Sequence, residues 1–115
     1  MKKYTKQKIN FIIEEFELPR NTKFVGYVIN MPESDEFLAE IKKDRGMKLY
    51  KWSETPEIAI KFKIYEKAKR IIDQYDKQRA VICLLLDTGK GLGPIPEKDA
   101  IEIIEDHTKN KTVTL

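Results

Sequence analysis

Trp52-Ser53-Glu54-Thr55-Pro56, then a charged segment striped with Ile64, Ala68, Ile71, Ile72 and Tyr75, then Ala80-Val81-Ile82-Cys83-Leu84-Leu85-Leu86-Asp87: this run decides the fold. Thr55-Pro56-Glu57 reads as a helix start. It offers a hydroxyl for an orphan N–H, a proline where no N–H is needed, and a carboxylate at the positive end of the dipole. Those first turns are expected to stop near Phe62, and a longer helix then carries the apolar stripe on one face. Residues 80–87 show no polar alternation, so they read as a strand buried on both faces. A helix lying on a sheet follows, without a catalytic group in the run.

Upstream, Thr5 is placed to cap a first helix whose Ile9, Ile12, Ile13 and Phe16 share a face, with Pro19 ending it. Phe24 to Asn30 is rich in β-branched and aromatic residues and reads as a strand. Met31 to Asp35 is turn chemistry, Glu36 to Lys42 a second strand, Asp44-Arg45-Gly46 a tight turn and Met47 to Trp52 a third strand. Short turns between three strands make an antiparallel meander. Asp76-Lys77-Gln78 is expected to end the second helix. Downstream, Pro96-Glu97-Lys98-Asp99 opens like a helix with Ala100, Ile101 and Ile104 on a face; Ala100 to Ile104 equally suits a strand paired with Lys111 to Leu115. Period does not separate the two over so short a run. The expected fold is one α+β domain spanning residues 1–115: an antiparallel sheet of about five strands, an N-terminal helix, and a 56–75 helical segment on one face.

A chain of 115 residues holds one core. Charged residues make up 36% of it while Ile, Phe and Tyr stay plentiful, which indicates a heavily solvated domain and not a disordered chain. The net charge of +3 is too small to argue for nucleic acid, and none is expected as a direct partner. Its distribution says more: residues 42–79 hold twelve Lys or Arg against six acids, whereas residues 1–41 come to −1 and 80–115 to −2. A basic middle segment can attract an anionic ligand. The single Cys83 lies in the apolar run and reads as a packing residue in a reducing compartment. The start of the chain lacks the apolar core of a signal peptide, and the run from Ala80 to Leu86 is far shorter than a membrane span, so a cytoplasmic protein is expected.

Catalytic constellations are scarce. Leu84 to Gly89 ends in Asp87-Thr88-Gly89, the active-site triplet of aspartic proteases, but Lys90 stands where those have a small residue. Turn chemistry explains the triplet. Thr88-Gly89-Lys90-Gly91-Leu92-Gly93 can hold a phosphate on successive N–H groups, with Lys90 adding charge. Pro94 and Pro96 follow where a dinucleotide fingerprint needs a helix. His107 has no second His or Cys near it, so no metal site is expected, and it is placed on the surface. Glu14-Glu15 and Glu105-Asp106 read as solvated carboxylates. Tyr50 and Trp52 share a strand face with Lys48, a combination on which a base can stack, although core packing of Trp52 under the helix is the favoured account. No catalytic residue and no cofactor is expected.

The order Phe24-Val25-Gly26-Tyr27, Phe37-Leu38, a third strand ending in Trp52, Thr55-Pro56 with Ala59 and Phe62, then Ala68 and an apolar strand resembles small phage-encoded sponge proteins. Those proteins counter Thoeris defence by binding cyclic ADP-ribose-type signals. The resemblance covers roughly residues 22–90. It implies an antiparallel sheet with helices, an oligomer, and binding without cleavage of a nucleotide-derived signal, in some members a cyclic oligonucleotide. An aromatic, an Asn and arginines are expected at such a site; by type, Phe62, Asn30, Arg20, Arg70 and Arg79 qualify. Trp52 joins them as a stacking residue, and Thr88, Gly89, Lys90 and Gly91 as the anion loop. A homodimer or higher oligomer is expected, since so small a chain has little room to enclose a nucleotide. The alternative is a protein-binding inhibitor of a bacterial defence enzyme, in which Glu97, Asp99, Glu102, Glu105 and Asp106 imitate phosphate charge.

Overall fold

The apolar run Ile82 to Leu86 becomes an interior strand of the sheet, with every side chain buried. The structure, a computed structural model, describes residues 3–75 and 79–113, the last four as backbone only. Five strands, β1 (Lys23–Met31), β2 (Glu36–Asp44), β3 (Met47–Ser53), β4 (Val81–Asp87) and β5 (Leu92–Pro96), run antiparallel in the order β3-β2-β1-β4-β5. Helices α1 (Lys6–Glu15), α2 (Tyr65–Tyr75) and α3 (Glu97–Val113) complete the α+β fold. The expected end of α2 at 76–78 lies outside the described residues.

Alternation sorts the strand side chains into two layers. Tyr27, Ile29, Leu38, Ile82, Leu84 and Leu86 meet Ile9 and Ile12 of α1, Ala68 and Ile72 of α2, and Ala100 and Ile103 of α3 on the front. On the back, Val28, Phe37, Cys83 and Leu85 pack with Ala59. α1 begins where Thr5 accepts a hydrogen bond from the Lys8 N–H (3.3 Å), and after Phe16 the chain turns through Glu17 at φ 52°.

Two details depart from the sequence reading, and one open alternative is decided. Residues 56–62 are not a continuous helical lead-in: a single 3₁₀ turn, Pro56–Ile58, sits against the back of the sheet, and the chain is then extended. The 97–113 segment is helix, so residues 111–113 do not form a strand. The fifth strand is Leu92–Pro96, which carries two prolines; an edge position tolerates their missing N–H groups.

The extended residues 59–62 wedge into a fork. β1 and β2 pair only next to their turn, at Asn30–Phe37 and Met31–Glu36. Beyond it, Ile60 N–H donates to the Leu38 carbonyl (2.9 Å), while Tyr27 and Phe62 exchange backbone bonds of 2.8 Å each way. The chain thus crosses from the back layer at Ala59 to the front at Phe62. Register shifts at Phe24/Gly26 and Leu38/Glu40 flank the wedge. Gly26, at φ 142°, is where a Cβ would come within 3.0 Å of the Phe62 carbonyl oxygen.

Candidate functional site

Once α2 starts at Tyr65, three chain segments converge on the front of the sheet and leave a groove of about 940 Å³ between them. The first is the approach to α1, with Lys3, Tyr4 and Lys6; the second is Arg20 to Tyr27; the third is Lys63 to Glu66. Five cations line it, Lys3, Lys6, Arg20, Lys23 and Lys63, against the one carboxylate of Glu66.

The aromatic wall is built around Tyr27. Its ring lies 5.0 Å from Phe24, 5.4 Å from Tyr65 and 6.1 Å from Tyr4, all tilted or edge-on, the geometries that suit aromatic quadrupoles. The Glu97 carboxylate, at the positive end of α3, fixes two of these rings by accepting from Tyr65 OH (2.7 Å) and Tyr4 OH (3.0 Å). Lys3 stands 4.2 Å over the Tyr65 ring and 3.9 Å from the same carboxylate. Burial, followed by the negative charge of Glu66 and then of Glu97, pushes the Tyr27 phenol up to about 12. Burial first, and then Glu97, raises Tyr4 and Tyr65 as well. These phenols are therefore neutral hydroxyls at ordinary pH.

The cations are less committed. Lys63 donates to the Val25 carbonyl (3.0 Å), whereas Lys6, Arg20 and Lys23 make no ion pair among the described residues. The first turn of α1 holds no acid and carries Lys6 and Lys8, so positive charge is stacked on the positive end of a helix dipole. Thr22, on the groove wall, buries a hydroxyl that has no hydrogen-bond partner among the described residues. Cations, neutral hydroxyls and ring faces are equipment for holding an anion attached to a flat ring.

The residues singled out from sequence are spread around the molecule. Arg20 alone lines the groove. Phe62 is half-buried in the fork beside it, held through its backbone. Asn30 is buried at the far end of β1, where Nδ2 donates to the Glu36 carbonyl (3.1 Å) and braces the β1–β2 turn. Trp52 and Tyr50 pack on Tyr75, at 5.5 and 4.6 Å between rings, under the last turn of α2. Arg70 is exposed on α2, and Arg79 lies 3.9 Å from Glu33. Thr88 to Gly91 form the β4–β5 turn. There the Gly89 N–H donates to Asp87 (2.8 Å) and the Lys90 N–H to the Thr88 hydroxyl (3.3 Å), so both are engaged inside the turn.

His107 is not simply a surface residue: it stacks on Phe11 at 4.8 Å and lies 3.4 Å from Glu15, joining α3 to α1. Of the acidic α3 set, Glu97 is turned inward to the two tyrosines. Among the described residues no group of His, Cys, Asp and Glu is arranged to hold a metal, and no helix is long and apolar enough to cross a membrane. Comparison with protein-family models, curated proteins and solved structures finds no match for this chain.

Proposed function

We propose that this chain is a non-catalytic binding protein that sequesters a nucleotide-derived signal, of the cyclic ADP-ribose or cyclic oligonucleotide kind, in the α1–β1–α2 groove. The observation that carries the reading is the groove's composition: five cations and one carboxylate around a wall of four aromatic rings. Phosphates would be neutralised by Lys6, Arg20 and Lys23, and a base or ribose would lie against Tyr27 and Phe24. The volume of about 940 Å³ is at the upper end of the range for small-molecule sites, so one chain has room for a whole nucleotide. An anti-defence role in the host cytoplasm is the biological setting that the resemblance to phage sponges supplies.

Self-association belongs to the same proposal. β3 is an edge strand with Met47 and Leu49 exposed, while the opposite edge, β5, is blunted by Pro94 and Pro96. Light scattering is expected to give a mass above the monomer's 13.5 kDa; a monomer that binds ligand would remove the oligomer and keep the groove.

The decisive experiment is incubation with a panel of cyclic nucleotides and cyclic ADP-ribose isomers, followed by removal of free ligand and heat release. Intact ligand released from wild type, and not from Lys6→Glu with Arg20→Glu, is the expected result. Recovery of a cleaved product would make the protein an enzyme. No retention of any panel member would overturn the reading.

A further inference from the structure

The β2–β3 hairpin continues beyond the part that packs on the core. Ile41, Tyr50 and Trp52 still rest on the front layer, but every residue from Lys42 to Leu49 is exposed, so this stretch is a two-stranded ribbon free on both faces. It is nevertheless regular. Lys42–Leu49, Lys43–Lys48 and Asp44–Met47 are paired, and Arg45-Gly46 closes the ribbon with φ 53° and 81°, the positive values that a type I′ turn needs at both central positions. The result is an arm of about 13 Å, four residues long at roughly 3.4 Å each.

The charges of the arm are placed at a cost to the fold. Lys43 and Lys48 stand directly opposite each other, where like charges destabilise a strand pair, and they share the front face with Ile41 and Tyr50. Arg45 takes a turn position that favours Asn, Asp or Gly. The acids Glu40 and Asp44 alternate onto the back face, where Glu40 lies 3.7 Å from Lys42 and 3.6 Å from Lys51. Lys48 donates to Gln74 (2.9 Å), which joins the arm to α2. Arg70 and Lys67, four and seven residues before Gln74, lie on the same exposed side of that helix. Lys43, Arg45, Lys48, Lys67 and Arg70 make no ion pair among the described residues, so five cations run as one track from α2 to the tip of the arm. The whole-chain charge of +3, which argued against nucleic acid, conceals this concentration.

We infer that the arm enters the major groove of duplex DNA while α2 lies on the rim of that groove. The B-form major groove, about 12 Å wide and 8.5 Å deep, admits a two-stranded ribbon, and an arm of about 13 Å reaches its floor. A ribbon with no packed face is what such entry requires. Arg45 at the tip is carried to the base edges, and Lys43, Lys48, Lys67 and Arg70 meet backbone phosphates. An anionic membrane suits the arm less well: Met47 and Leu49 would have to insert, and Asp44 stands directly across from Met47 with Glu40 on the same face. This surface is separate from the α1–β1–α2 groove, and the inference does not depend on what that groove binds.

Fluorescence anisotropy of a short, labelled, G·C-rich DNA duplex, titrated at several salt concentrations, tests it. Four phosphate contacts predict that the logarithm of the binding constant falls with the logarithm of salt at a slope of about −3.6 for wild type. Lys43→Ala with Lys48→Ala should bring the slope to about −1.8, whereas Lys98→Ala with Lys109→Ala, the same change of charge at exposed positions of α3, should leave it alone. Arg45→Asn should weaken binding roughly tenfold, within the range for one bidentate base contact. Its melting temperature should hold or rise, because Asn-Gly is a preferred type I′ pair, so a loss of binding would not come from a loss of fold. Duplex RNA, whose A-form major groove is too narrow for the arm, should bind more weakly than DNA. Equal binding of the two duplexes, equal slopes for the arm and α3 variants, or full binding by Arg45→Asn overturns entry of the arm into the DNA. Arm-dependent binding of phosphatidylserine vesicles without binding of DNA would overturn it in favour of a membrane. Failure of wild type to bind the DNA duplex at low salt overturns the inference and leaves the α1–β1–α2 groove standing.

Discussion

Gly26→Ala is the most direct test of the forked sheet. The added Cβ would lie 3.0 Å from the Phe62 carbonyl oxygen and 3.4 Å from Lys61 Cβ, and the position sits at φ 142°. Two costs add. An L-residue held in that backbone region costs about 1–3 kcal/mol. Relief of the contact must move residues 61–62, which lengthens the paired 2.8 Å bonds between Tyr27 and Phe62 and costs about another 1 kcal/mol. Reduced freedom of the unfolded alanine chain offsets about 0.5 kcal/mol. A net loss of about 1.5–3.5 kcal/mol is large for a domain whose total stability is about 5–15 kcal/mol, and corresponds to roughly a 10 °C fall in melting temperature. Urea unfolding followed by circular dichroism measures the loss, and amide exchange should show Tyr27 and Phe62 losing protection together. Gly91→Ala is the control, since its Cβ would meet nothing within 4 Å. A Gly26→Ala midpoint equal to that of Gly91→Ala would mean that the wedge does not press on β1 as described.

Leu84 is fully buried in the front layer, so Leu84→Ala should cost about 3 kcal/mol by urea unfolding, whereas Met47→Ala at the exposed edge should stay within about 0.5 kcal/mol; similar values for the two would contradict the layer assignment. Burial pushes the Cys83 thiol up to about 12, so a disulfide reagent at neutral pH should label it only as fast as the protein opens. Labelling faster than global unfolding would show that the Pro56–Ile58 turn and Ala59 lift off the back layer by themselves. The raised phenols set an alkaline limit: a tyrosine whose folded value exceeds its ordinary value of 10.0 supports the fold fully below pH 10 and loses that support as pH climbs through the folded value. With Tyr27 at about 12, the urea midpoint should fall across pH 10 to 12 as phenolate absorbance rises, and a flat midpoint over that window would contradict the buried cluster.

Where one physical signal dominated, the sequence was readable. The unalternating run 81–86 could only be a central strand, Thr5 caps α1 as its hydroxyl suggested, and Ala68 with Ile72 forms the buried part of the α2 stripe. β5 was hidden because Pro94 and Pro96 are turn residues until a neighbouring strand gives them an edge to occupy. The two readings of residues 100–104 tied because five residues do not separate the helix and strand periods. The acids Glu97 and Asp99 in the first turn, and burial of Ala100 and Ile103 three apart, now settle them as helix. Residues 56–62 misled more deeply. Thr55-Pro56-Glu57 does open a helical turn, but the fork supplies backbone partners to Ile60 and Phe62 that an isolated helix could not match. The groove was least legible, because its cations come from three separated stretches. Summing charge by segment put the basic surface on 42–79, whereas four of the five groove cations lie before residue 24, in a segment whose net charge is −1.

The wedge that stabilises the sheet also builds the candidate site. Phe62 is fixed by its bonds to Tyr27, and the next residue, Lys63, donates to Val25, so the register of the wedge decides where α2 begins. Tyr65 then stands where Glu97 can hold its hydroxyl and Lys3 can cover its ring. A shift of the wedge would carry Lys63 and Tyr65 with it and, through Glu97, release Tyr4. Gly26 lines the groove as well as admitting the wedge, so β1 keeps a glycine, at a φ that other residues rarely adopt, at the point where fold and groove meet. A flat meander of three regularly paired strands would need no such glycine, but it would leave no fork through which the chain could bring Lys63 and Tyr65 to the front face. The bulge, the wedge and the groove are therefore one structural solution, and the short β1–β2 pairing is the feature that makes it possible.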